Sequence, residues 1–156
     1  MLLLSLPKAY KVTAGSSEGE SVSGALRAAL LEAGISDIKL MRVDNKIPPN
    51  AVYNPDLEIP TGVMVPTCYC FVDSKEAGQI ISAAIGVGIA ENGYGIIKEY
   101  AGNVTKEEAE EEIQKKLEEE FRKEGLIIAD VKIASTQHTV EKYGCSVATV
   151  PFWNRD

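Results

Sequence analysis

A polar tripeptide, Asp44-Asn45-Lys46, follows an alternating apolar stretch just ahead of Ile47 and a Pro48-Pro49 pair. Prolines forbid further ladder pairing and push the preceding residue out of helical geometry, so the tripeptide reads as the polar exit of a strand. An Asn side chain can attack a backbone carbonyl, but neither Asp44 nor Asn45 offers a hydroxyl. Glu99 shares a strand face with Gly95 and Ile97, which suits either a partly buried proton donor or an ordinary ion-paired carboxylate. Cys68 and Cys70 are spaced as metal ligands on one strand face can be, yet no second cysteine pair accompanies them and His138 is the only histidine. They read as small buried hydrophobes, and no metal is expected. His138 reads as a structural hydrogen-bonding residue. Ser16, Ser17 and Ser82 carry hydroxyls that could in principle attack or be cut. Gly86 and Gly88 lie in GVGIAENG, which opens no apolar-periodic helix, so a phosphate loop is not expected.

The elements that position these residues follow from periodicity. Lys8 to Thr13 predicts a first strand, and Ala14 to Gly19 a turn of small residues. Val22, Ala25, Leu26, Ala29, Leu30 and Ala33 recur at helical spacing, with Ser21 as cap and Gly34 as stop. Ile35 to Val43 predicts the strand that ends at the polar exit. Lys46 to Pro60 holds four of the seven prolines and predicts a surface connection. Gly62 to Val72 is β-rich and apolar on both faces, which predicts a strand between two layers, bent at Pro66. Ile80 to Ile89 suits a buried strand, because Gly86 and Gly88 would each weaken a helix by roughly 1 kcal/mol. Gly95 to Tyr100 predicts another strand. Thr105 to Glu108 forms a capping box, and Ala109, Ile113, Leu117 and Phe121 step by four along the helix it begins. Leu126 to Ala134 and Tyr143 to Pro151 complete the strands, with Phe152 and Trp153 as anchors. Strand, helix, strand occurs twice, which predicts an α+β layered sandwich with mixed sheet inside and helices outside, in one domain over residues 1–156.

A net charge of −7 and a pI near 4.8 argue against nucleic acid or an anionic membrane surface as partner. No apolar run approaches the length of a membrane span. The start, MLLLSL, is short and carries no basic residue, so no secretory signal is expected. Three cysteines, an odd number, fit a reducing compartment, and a cytoplasmic location is expected.

AGSSEGE at 14–20, the Pro48-Pro49 pair, GVMVPTCY at 62–69, ISAAIGVGI at 81–89, GIIKEYAG at 95–102 and HTVEKYGC at 138–145, taken in order, resemble the pyruvoyl-dependent arginine decarboxylase family. The likeness spans roughly Val12 to Trp153. It implies a four-layer αββα sandwich assembled as a homotrimer or a dimer of trimers, with active sites between subunits. Members of that family cut their own chain before a serine, which becomes a pyruvoyl group. Its ketone is the electron sink when arginine loses carbon dioxide to give agmatine. Making the group needs a β-hydroxyl, whose oxygen attacks the preceding carbonyl and is then eliminated to leave dehydroalanine.

Carried over by this resemblance, the family's serine pair falls on Asp44-Asn45. The expectation is an uncut chain without the pyruvoyl cofactor. A site asparagine falls on Lys39, and the acidic residue associated with the substrate guanidinium falls on Arg27. A cation facing a guanidinium repels it, so arginine binding is disfavoured; Arg27 also reads as a solvated helix residue. Glu99 matches the family's catalytic acid. The resemblance with these departures predicts a non-catalytic or regulatory homologue, with an active decarboxylase paralogue as a further partner. The alternatives are an active arginine decarboxylase of polyamine biosynthesis, and a small-molecule binding module that uses the inter-subunit cleft for an acidic ligand drawn by Arg27 and Lys39.

Overall fold

The computed structural model describes residues 6–35, 39–48 and 50–154. Met1 to Ser5, Ile38 and Pro49, on which some of the sequence expectations rest, lie outside them. In chain order the elements are β1 (Ala9–Tyr10), β2 (Thr13–Glu18), α1 (Val22–Glu32), β3 (Lys39–Arg42), β4 (Val52–Tyr53), β5 (Met64–Ser74), β6 (Ile80–Ala90), β7 (Gly95–Gly102), α2 (Lys106–Lys123), β8 (Ile128–Thr139) and β9 (Gly144–Trp153). They form two sheets. The first runs β3-β5-β9-β1-β4, with β2 also paired to β9; the second runs β7-β6-β8. The first is mixed, since β3 lies parallel to β5 and β1 parallel to β4.

Three apolar seams hold four layers together. Ala25, Ala29 and Ala33 of the α1 segment meet Cys145 and Val147 of the first sheet. Cys68, Ala148, Val150 and Phe152 of the first sheet meet Ala83, Ile85, Val87 and Ile97 of the second. Ala109, Ile113, Leu117 and Phe121 of α2 cover the outer side of the second sheet at Ala84 and Ile96. This is the αββα sandwich, and burial of these side chains is what stabilises it.

Glycines set the spacing at two of the seams. A Cβ on Gly15 would come 2.5 Å from the Ala29 carbonyl oxygen, so the missing side chain lets the α1 backbone lie directly on β2. A Cβ on Gly86 would collide with Ile113, and one on Gly88 would come 2.8 Å from Phe121 Cε1. The glycines that suggested a strand over a helix are thus also the floor on which α2 rests. Ser21 caps α1 by accepting from the Gly24 N–H, and the Thr105–Glu108 capping box starts α2 as the sequence predicts.

Two expectations are corrected. Ala14 to Gly19 is not a turn: Thr13 through Glu18 pair residue by residue with Thr149 through Gly144 of β9. Its small polar residues serve a close-packed sheet, with the Ser16 hydroxyl hydrogen-bonded to those of Thr136 and Ser146. The interruption falls instead at Lys11-Val12, opposite Pro151, which has no N–H to give. Pro66 marks no bulge either. The β3–β5 register passes through Met41↔Pro66 without a shift, and the β9 ladder on β5 starts only at Thr67, so the missing N–H costs no sheet bond. Two smaller differences are that β8 pairs with β6 as far as Thr139 and that Val22 is exposed. No helix among the described residues is long and apolar enough to cross a membrane.

Candidate functional site

Beyond Arg42 the chain leaves the first sheet and is caught by the second. The Asn45 carbonyl accepts from the Ile97 N–H at 2.8 Å, Lys46 bridges to Ile96, and the Ile47 N–H donates to the Gly95 carbonyl at 3.1 Å. Gly95 permits this, since a Cβ there would lie 2.6 Å from Ile47 Cγ1. The polar exit is therefore pinned on β7, where Asn45's partner Ile97 lies two residues before Glu99.

Asn45 and Glu99 converge on one thiol. Cys68 Sγ lies 3.7 Å from Asn45 Oδ1 and 3.5 Å from Glu99 Oε2, so its single S–H donates to one oxygen or the other. Burial, and then the charge of Glu99, push the Cys68 thiol up to about 12. It is a buried donor that stays protonated, unsuited to act as a nucleophile. Burial also raises Cys70 to about 12, and its thiol faces the carbonyl oxygens of Ala84 and Tyr100. Among the described residues no group of three or more His, Cys, Asp or Glu is placed to hold a metal ion.

Asn45 and half-buried Glu99 line a cleft of about 500 Å³ with Lys98, Lys116, Glu119 and Glu120. Lys116 Nζ donates to the Glu99 carbonyl at 3.1 Å and sits 5.2 Å from the Tyr100 ring centre. Lys98 pairs with Glu120 at 3.0 Å. The arrangement can hold a polar ligand and place a carboxylate against it. Sequence reading missed Cys68, Lys98 and Lys116 as members. A signal for Lys116 existed: it lies next to Leu117 on α2, at the margin of the four-residue apolar stripe.

Arg27 and Lys39 come together in a different place. Both are exposed and line a groove of about 960 Å³ along α1, formed with Leu26, Leu30, Leu31 and Ile35. Asp44 is exposed and lines neither recess. His138 holds the Glu18 carboxylate through Nε2 at 2.5 Å, and Ser82 donates to the Val104 carbonyl at 2.6 Å; both are structural contacts, as is the Ser16 network.

A two-sheet αββα sandwich, with a strand exit pinned beside a half-buried glutamate, is the class of protein that these features define. The chain belongs to the pyruvoyl-dependent arginine decarboxylase family, whose profile matches residues 9–156. Proteins named pyruvoyl-dependent arginine decarboxylase from three archaea are similar along nearly their whole length. That of Methanocaldococcus jannaschii is 38% identical over 150 residues, covering 95% of this chain and 91% of the relative. Those of Thermococcus kodakarensis and Pyrococcus abyssi are 39% and 40% identical, each covering 92% of this chain and 94% of the relative. The family uses a pyruvoyl group formed from the protein itself. Here the residues at the strand exit do not fit that group: Asp44 brings a carboxylate and Asn45 an amide, and neither has the β-hydroxyl whose loss leaves dehydroalanine.

Proposed function

We propose that this chain is an uncut, non-catalytic member of its family that keeps the sandwich and the Asn45–Glu99 cleft as a regulatory or stabilising subunit. Asn45 carries the reading. It stands pinned to β7 through its carbonyl, where self-processing would begin, and bears an amide in place of a hydroxyl. Asn45 and Asp44 are taken as equivalents of the processing pair, Glu99 as the equivalent of the catalytic acid, and Arg27 and Lys39 as substrate-pocket equivalents with the wrong charge for a guanidinium. Glu99 as a proton donor then has no carbonyl-bearing prosthetic group beside it.

Assembly as a homotrimer or dimer of trimers is part of the proposal, with an active decarboxylase paralogue as a further partner. Lys39 and Asn45 are separated by up to roughly 20 Å of extended chain and line different recesses, so a site that uses both recesses draws on a second copy. The free cysteines support a reducing, cytoplasmic setting.

Intact-mass measurement of the purified chain, paired with release of labelled carbon dioxide from arginine, tests the reading. The expected result is one uncut mass and no release. A keto-capped fragment would overturn it. The relatives' shared name and 38–40% identity favour a second reading, an active arginine decarboxylase, and release of carbon dioxide by the purified chain would establish it.

A further inference from the structure

We propose that Cys68 is a positioning residue for Glu99: its S–H goes to the carboxylate rather than to the Asn45 amide oxygen, and holds Glu99 Oε2 at the strand exit. The role rests on the reading of Glu99 as the equivalent of the catalytic acid. Side chains alternate along β7, so Glu99 shares a face with Ile97, which belongs to the apolar seam between the two sheets. The carboxylate therefore enters the margin of that seam, where a charge needs a donor. Cys68 reaches the same seam from β5 and is 1% exposed. Its Sγ lies 3.5 Å from Glu99 Oε2.

Charge decides between the two acceptors. A hydrogen bond to an ionised carboxylate is roughly twice as strong as one between neutral groups, and Glu99 Oε2 is also the nearer oxygen, at 3.5 Å against 3.7 Å for Asn45 Oδ1. The cations of the cleft do not compete for the carboxylate. Lys98 pairs with Glu120 at 3.0 Å, and Lys116 Nζ donates to the backbone carbonyl of Glu99. Among the described residues no ion pair joins Lys98, Lys116 or Lys123 to the Glu99 carboxylate, and no hydrogen bond engages its Oε1. Oε1 is then the oxygen left for a ligand in the cleft. A residue of the first sheet thus fixes how a carboxylate of the second is presented.

Infrared absorption by the S–H groups of the full chain tests the choice of acceptor, with the Cys68 band assigned by its loss in C68A and in C68S. The band is expected to shift to higher frequency in E99Q, whose neutral amide accepts more weakly, and to keep its place in N45A. The positioning itself is read from the carbon-13 resonance of the Glu99 carboxyl, assigned by its loss in E99Q. That resonance is expected to move in C68A and to return towards its original place in C68S, whose hydroxyl also donates. If C68A fails to fold by circular dichroism, the bands of E99Q and N45A decide alone. A band that follows N45A instead of E99Q, a band moved by neither, a Glu99 resonance unmoved in C68A, or one equally displaced in C68S would overturn the proposal. Intact mass on the same samples reports processing, so a failure of the thiol's role is told apart from a failure of the uncut reading.

Discussion

Asn45 and Glu99 share a hydrogen-bond donor: Oδ1 of the one and Oε2 of the other lie 3.7 and 3.5 Å from Cys68 Sγ. The three residues come from the strand exit, β5 and β7, and the contact joins the two sheets at the cleft. In the reading proposed above, the amide of Asn45 takes the place where self-processing needs a hydroxyl. That relationship leads to the first prediction.

Replacing the pair, D44S/N45S, puts a hydroxyl back next to a carbonyl-pinned backbone. The expected outcome is two fragments on a denaturing gel where the unaltered chain gives one band. An uncut double variant that is folded would mean that the strand exit has lost more than a hydroxyl.

The seam between β6 and α2 leaves no room for a side chain at Gly86. G86V forces a methyl-bearing carbon into Ile113 and is expected to destabilise the protein by about 1–3 kcal/mol, or more if the helix lifts. The midpoint of urea unfolding, at unchanged slope, reads this directly.

Glu18 ties the turn before β9 to β2. Burial works against its charge, but hydrogen bonds from the Lys142 N–H, from His138 and from the Glu141 N–H outweigh that and lower its pKa from 4.5 to about 2. A lowered folded-state value means that the stabilisation is fully present above pH 4.5 and is lost as the pH falls towards 2. E18Q should therefore cost about 1–3 kcal/mol at neutral pH. The gap from the unaltered chain should close over that acid window in unfolding curves. A gap independent of pH would contradict the assignment.

Burial, as the main cause, raises Cys68, Cys70 and Cys145 each to about 12. The folded chain is expected to resist iodoacetamide at neutral pH and to take up three labels once denatured, counted by mass. Rapid labelling of Cys68 in the folded chain would show a reactive thiol at the cleft.

The sequence alone determined what depends on local periodicity and on residue chemistry. The four-residue apolar step of α2, its Thr105–Glu108 cap, the Ser21 cap of α1 and the strand nature of Ile80 to Ile89 were all readable, because each depends on neighbours a few residues away. The missing hydroxyl at Asp44-Asn45 was readable too, since it is a fact of residue type. Only the tertiary structure decided that Ala14 to Glu18 is a strand, because the partners that make it one, Gly144 to Ala148, lie more than a hundred residues away. The structure likewise decided that Asn45 and Glu99 share Cys68 while Arg27 and Lys39 share a separate groove. Strand order and register set which side chains meet, and those follow from how the layers stack, which no local stretch of chain encodes.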